Sequence, residues 1–154
     1  MTQALIINAA TGRMGKELIA AAVSDSKVVV AAALARENHP LLGTDIGYLI
    51  GANPHNKYIS SDLPQAFTAG EVLIDFSLPA HSIRSLELAV ESRIPMVIGT
   101  TGFSEEQKQL INKASQQIPI MFAANYSLGV NSLIQLARQA TRSLGKQSDI
   151  EIFE

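Results

Sequence analysis

Short apolar runs alternate along this chain with longer stretches in which apolar residues recur every three or four positions. Ala4-Leu5-Ile6-Ile7, Lys27 to Leu34 with its charged first residue, Val72 to Phe76 with Asp75 inside it, Met96-Val97-Ile98 and Ile120-Met121-Phe122 are these runs. Continuous apolar character over so few residues predicts strands covered on both faces. A further short strand is predicted near Tyr58-Ile59 and a short helix near Asp62 to Ala69. Leu18, Ile19, Ala22 and Val23 fall on one face of a helix after the first strand. Pro79 opens another helix, where a missing N–H costs nothing; Ile83, Leu86, Ala89 and Val90 share its apolar face, and Pro95 closes it. Ser104 with Gln107 forms a capping box, and Leu110, Ile111, Ala114 and Ile118 make the stripe that follows, ended by Pro119. Gly129 to Leu144 reads as a helix with Leu133, Leu136, Ala137 and Ala140 facing inward and Gly145 closing it. Residues 36–57, polar and rich in Gly and Pro, read as an irregular loop.

Strands alternating with helices imply right-handed crossovers and a parallel sheet. The pattern predicts an α/β fold with a doubly wound parallel sheet. Ile150-Glu151-Ile152-Phe153-Glu154 breaks it: apolar and acidic residues alternate with period two, as in a strand with one open face. The expectation is a domain over residues 1–130, with residues 131–154 the first helix and strand of a second, incomplete α+β domain.

Of 154 residues, 47% are hydrophobic and 17% charged, enough apolar surface for a packed core. Net charge is −2 and no basic stripe occurs, which argues against a nucleic-acid binder. There is no cysteine, which removes disulfides, thiolate zinc sites and cysteine nucleophiles. No apolar run is long enough to span a bilayer, and Met1-Thr2-Gln3 leads into a strand without a charged leader. The expected compartment is the cytoplasm.

In open α/β sheets ligands bind at the carboxyl ends of the strands. Asn8-Ala9-Ala10-Thr11-Gly12-Arg13-Met14-Gly15 lies between the first strand and its helix. Glycines there let backbone N–H groups approach a pyrophosphate at the positive end of a helix. Gly12 and Gly15 fit that spacing, while Ala9 stands in the place of the first glycine. A P-loop is excluded, because Ala10 and Glu17 stand where glycine and Ser/Thr are required. After the second strand come Ala35, Arg36 and Glu37; a neutral residue followed by arginine favours a 2′-phosphate over a free ribose hydroxyl. The later strand ends, Asp75-Phe76-Ser77, Gly99-Thr100-Thr101-Gly102-Phe103 and Ala123-Ala124-Asn125-Tyr126-Ser127, carry small or hydroxylated residues suited to a nicotinamide amide, each with an alternative as a turn or helix cap. Asp75 reads as a strand-end carboxyl rather than a general base. His39, His55 and His81 are isolated, without metal-ligand spacing, and read as solvated. No acid–base pair of convincing spacing appears.

The order of these motifs resembles 4-hydroxy-tetrahydrodipicolinate reductase, the bacterial lysine-pathway enzyme. The resemblance rests on Gly12-Arg13-Met14-Gly15, Ala33 to Glu37, Leu42-Gly43, Ile74 to Ser77, Val97 to Phe103, Phe122 to Asn131 and Asp149 to Ile152. The Ile98-Gly99-Thr100-Thr101-Gly102-Phe103 and Ala124-Asn125-Tyr126-Ser127-Leu128-Gly129-Val130-Asn131 runs are its most specific parts. The resemblance implies a Rossmann domain for NADPH or NADH. Ala9, Ala10, Thr11, Gly12, Arg13 and Met14 would cradle the pyrophosphate, and Arg36 would meet the adenosine ribose or its phosphate. Phe76, Gly99, Thr100, Thr101, Ala123, Ala124, Asn125 and Tyr126 would border the nicotinamide end, with Thr101 also approaching the substrate. Family members commonly carry glycine at the place of Ala9 and an acid at the place of Ala35, so NADPH is expected to be preferred. The family's His-His-x-x-Lys segment, source of the proton donor, would follow just beyond Glu154, so no catalytic residue is assigned here and the chain is expected to bind a dinucleotide without efficient turnover. A small-molecule substrate, no nucleic acid, no membrane and a homo-tetramer for the complete protein are implied. The alternatives are a non-catalytic nucleotide-binding regulatory module and a relative of homoserine or aspartate dehydrogenase.

Overall fold

A computed structural model describes residues 2–145 together with Asp149 and Glu151. The chain divides into two compact units, Met1–Phe122 and Ala123–Glu154. The first contains β1 (Gln3–Asn8), α1 (Arg13–Ser24), β2 (Val28–Leu34), α2 (Ile46–Leu49), β3 (Ile59–Ser60), α3 (Leu63–Ala69), β4 (Val72–Asp75), α4 (Pro79–Ser92), β5 (Met96–Ile98), α5 (Glu105–Ala114) and β6 (Ile120–Phe122). The second contains α6 (Leu128–Leu144).

The six strands form one sheet in the order β3-β2-β1-β4-β5-β6, and every pairing between them is parallel. This is the doubly wound Rossmann order, with its switch point between β1 and β4. Alternation along the strands separates two cores. Ile6, Leu34, Leu73, Met96 and Ile98 pack with residues of α3, α4 and α5 on one face. Leu5, Ile7, Val30 and Ala33 pack with Ile19 and Ala22 of α1 and Ile46 of α2 on the other. The predicted sheet and its strands are present.

Several side chains depart from the expected faces. Leu110 and Val23 are exposed, whereas Ile111, Ala114 and Ile118 are buried as expected. Ser104 and Gln107 form the capping box, each side chain accepting from the other residue's backbone N–H. Helix α4 ends at Arg93, a left-handed cap, rather than at Pro95. Its most buried positions include Ser82 and Ser85, polar residues that periodicity places beside the apolar face but does not assign to it.

Residues 36–57 are not an unstructured excursion. Ile46 is 1% exposed and belongs to the core. The loop is organised by Asp45, whose Oδ1 accepts from Gly47 N (2.8 Å) and His55 N (2.9 Å) and whose Oδ2 accepts from Lys57 N (3.2 Å). The His55 N–H is foremost in holding the Asp45 carboxyl below its ordinary value of 3.8; burial opposes it, and the Gly47, Asn56 and Lys57 N–H groups add to it. A carboxyl with a lowered folded-state value adds stability above the unfolded value, lost as pH falls through the folded one. Asp45→Asn is therefore expected to lower the unfolding midpoint at pH 7, and the gap to the parent should close as pH drops below about 3.8. Thermal melts across pH 2.5–7, on the scale of ordinary carboxyl titration, check this; a pH-independent gap would contradict it.

The second unit holds α6, capped by the Ser127 hydroxyl accepting from Val130 N. None of its residues is buried; Leu133 and Leu136, expected to face inward, are 66% and 63% exposed. An apolar stripe needs a second element to cover it, and α6 is the sole helix or strand described in this unit. Apart from Glu151, the strand expected over 150–154 lies outside the described residues. Among the described residues no helix is long and apolar enough to cross a membrane.

Candidate functional site

The carboxyl ends of β1, β2 and β4 surround a cavity of about 570 Å³. That volume lies within the range of small-ligand sites. Its floor is the turn after β1: Asn8, Ala9, Thr11 and Gly12 line it. One wall comes from Leu34, Ala35, Arg36, Glu37 and His39 after β2, with Leu63 and Pro64 of α3. The other comes from Ser77 and Leu78 and from His81, Arg84 and Ser85 on α4.

The turn is built by close backbone packing. Ala9 adopts φ 56°, the left-handed region. Its carbonyl accepts from Gly12 N at 3.0 Å, and Ala10 N donates to Leu34 O at 2.8 Å. Gly15 sits against this turn, where a Cβ would overlap the Ala9 carbonyl oxygen and lie 2.6 Å from the Ala10 backbone. Gly12 is the N-cap of α1 and supplies no side-chain cap. The first-turn N–H groups of α1 therefore lack the side-chain acceptor that most helix starts possess, a setting that suits an anion. A Cβ on Gly12 would come within 3.2 Å of the Ala9 oxygen.

Left-handed backbone costs an alanine about 1–2 kcal/mol. Glycine would relieve this while adding freedom to the unfolded chain. Ala9→Gly is therefore expected to raise stability by a net ~0.5 kcal/mol and to tighten dinucleotide binding, since the lost methyl belongs to a residue lining the cavity. A melt and a titration on the same variant check both; weaker binding would contradict the second.

Beneath the cavity lies a buried polar network. Asn8 and Asp75 are register partners at the ends of β1 and β4. Asn8 Nδ2 donates to Asp75 Oδ1 at 3.0 Å and to Ser85 Oγ at 3.2 Å. Ser77 N donates to Asp75 Oδ1 at 3.0 Å. The Ser82 hydroxyl donates to Asp75 Oδ2 and lies 2.9 Å from Thr100 Oγ1. Asp75 is fully buried, and Ser82 and Ser85 are 1% exposed. The network ties the ends of β1, β4 and β5 to α4, and it fixes how α4 is rotated about its axis.

The expected site residues divide accordingly. Ala9, Thr11, Gly12 and Arg36 line the cavity together. Ala10 is buried in the core, and Arg13 and Met14 are exposed on the first turn of α1, outside the lining. Phe76 packs its ring on Gly99, where any Cβ would overlap it. Gly99 N donates to Asp75 O at 2.8 Å. Thr100 is buried in the polar network, so what it offers a ligand is backbone, whereas Thr101 is exposed. In the second unit, Asn125 Oδ1 accepts from Ser127 N at 2.7 Å, and Asn131 Nδ2 donates to Asn125 O at 3.1 Å and Ser127 O at 2.9 Å. These bonds tie the Ala123–Ala124–Asn125–Tyr126 turn to the first turn of α6. Burial raises the Tyr126 hydroxyl above its ordinary value, against a lowering hydrogen bond with Ala123.

Sequence reasoning took His39 and His81 as solvated and did not weigh Arg84, yet all three line the cavity. His39 is half-buried, with Nδ1 accepting from Leu41 N at 3.2 Å, rather than solvated. The usable signal was spacing: Arg84 and Ser85 follow His81 by three and four residues on a helix that starts at a strand's carboxyl end.

The description "Dihydrodipicolinate reductase, N-terminus" matches residues 3–126. The chain is 41% identical over 150 residues to a 4-hydroxy-tetrahydrodipicolinate reductase of Pseudoalteromonas atlantica, covering 97% of this chain and 56% of that protein. It is 40% identical over 148 residues to one of Syntrophotalea carbinolica, covering 96% and 55%. The chain thus spans about half the length of these curated relatives. A dipicolinate-bound dihydrodipicolinate reductase from Paenisporosarcina sp. TG-14 shares the fold at a TM-score of 0.73 and 21% identity, over 92% of this chain and 54% of that one. Fold, turn and family match together place this chain in the dihydrodipicolinate reductase N-terminal family.

Proposed function

We propose that the chain is the nicotinamide-dinucleotide-binding part of an NAD(P)H-dependent reductase converting 4-hydroxy-tetrahydrodipicolinate to tetrahydrodipicolinate in lysine biosynthesis. The observation that carries this is the cavity at the sheet's switch point, with a glycine-packed turn at its floor and Arg36 in its wall. The glycines and the uncapped start of α1 suit a pyrophosphate; Arg36 suits a 2′-phosphate. A reduced nicotinamide would supply the hydride. Gly99, Thr100 and Thr101 would border the nicotinamide, with Thr101 also approaching the substrate. Ala10, Arg13 and Met14 would contribute backbone and first-turn groups to the pyrophosphate site. Residues 131–154 would begin the substrate and oligomerisation domain. The complete protein would act in the cytoplasm as a homo-tetramer on a small-molecule substrate.

Titration of the full chain with NADPH and NADH tests the reading. Binding of both is expected, with NADPH the tighter. Equal or reversed affinities would overturn the preference, and failure of both to bind would overturn the dinucleotide assignment.

A further inference from the structure

Two arginines from opposite walls line the same cavity. Arg36 follows β2, and Arg84 lies in the second turn of α4. His81 precedes Arg84 by three residues, which puts both on one helix face, and it lines the cavity too. Glu37 is the one acidic residue in the lining. The chain as a whole carries a net charge of −2, so this concentration of cations runs against its average. Neither arginine has an ion-pair partner among the described residues; the ion pair found there is Lys108 with Glu105.

The placement of Arg84 is fixed from beneath. Ser82 and Ser85, its neighbours on α4, bond inward to Asp75 and Asn8. With those two serines anchored, His81 and Arg84 are turned to the cavity wall. A guanidinium carries a rigid fork of donors that matches phosphate oxygens, and two of them flanking one cavity complement a dianion better than one.

We propose that Arg84, assisted by His81, forms a second wall of an anion subsite that, with Arg36, receives the ribose 2′-phosphate of NADPH. The proposal rests on the dinucleotide reading of the cavity and adds a specificity determinant on α4 to the arginine after β2.

The test is calorimetric titration of the full chain with adenosine 2′,5′-bisphosphate and with 5′-AMP, in the parent and in Arg84→Gln, Arg84→Lys and Arg36→Gln. The parent is expected to favour the bisphosphate. Arg84→Gln should weaken bisphosphate binding about tenfold, the scale of one charged hydrogen bond, and leave 5′-AMP within about twofold. Arg84→Lys should fall between. Arg84 is exposed, so the melts of these variants should match the parent. Equal weakening of both ligands would overturn the proposal in favour of adenine stacking or 5′-phosphate contact. No weakening of either would overturn it in favour of a solvated side chain. In both cases binding by the parent leaves the dinucleotide reading standing. If the parent binds neither these ligands nor NADPH, that reading falls and the proposal falls with it.

Discussion

Gly15→Ala is expected to destabilise the first unit by about 3 kcal/mol, at the upper end of overpacking costs. The new methyl would overlap the Ala9 carbonyl oxygen and press on the Ala10 backbone at 2.6 Å. Neither neighbour is the far end of a flexible side chain. Ala10 is fully buried, and its N–H is held by Leu34 O. Relief must come from moving α1 away from β1, which opens the core around Ile19 and Ala22. A fall of roughly 10 °C in the melting midpoint is the expected reading. Gly12→Ala is the informative contrast. Its Cβ meets one atom, the Ala9 oxygen at 3.2 Å, so it should spare stability and weaken dinucleotide binding. A Gly15→Ala protein that melts with the parent would contradict the packing argument.

Asp75→Ala should be at least as damaging, at about 4 kcal/mol, because several buried donors lose their acceptor together. Asn8 Nδ2, Ser77 N and the Ser82 hydroxyl all bond to this carboxyl. Each group left without an acceptor away from water costs about 1–3 kcal/mol. Asp75→Asn keeps one carbonyl acceptor and should cost about half as much by the same reckoning. Urea unfolding of the two variants separates these levels. Since Asn8 lines the cavity while bonded to Asp75, Asp75→Asn should also weaken dinucleotide binding. Equal stability of Asp75→Ala and the parent would show that the network contributes nothing.

The parts of the fold written in local pattern were readable from the sequence. Short apolar runs mark the strands because β1, β2 and β4 contribute side chains to a core on each face of the sheet, and the Ser104–Gln107 box marks the start of α5 because capping is local. What escaped reading depends on distant partners. Ser82 and Ser85 look like the polar side of a helix, yet they are buried because Asp75 and Asn8 wait beneath them. Residues 36–57 look irregular because their order comes from Asp45 reaching backbone groups ten and twelve residues away. The turn after β1 was legible at Gly12 and Gly15, whose spacing carries the packing requirement. The α4 wall was not, since His81 and Arg84 gain meaning from the cavity they share with Arg36.

The strand order also governs how the chain can assemble as it is made. β1, synthesised first, ends up in the middle of the sheet. β2 and β3 add outward on one side, and the chain then returns through α3 to lay β4 against the other side of β1. From there β5 and β6 again add outward in order of synthesis. Each new strand meets an edge already present, and one crossing back to the centre joins the halves. That crossing brings Asp75 to Asn8, 67 residues earlier in the chain. The cleft between the halves is therefore completed at the step that unites them, and a nascent chain acquires its β4-side wall when α4 follows β4 into place.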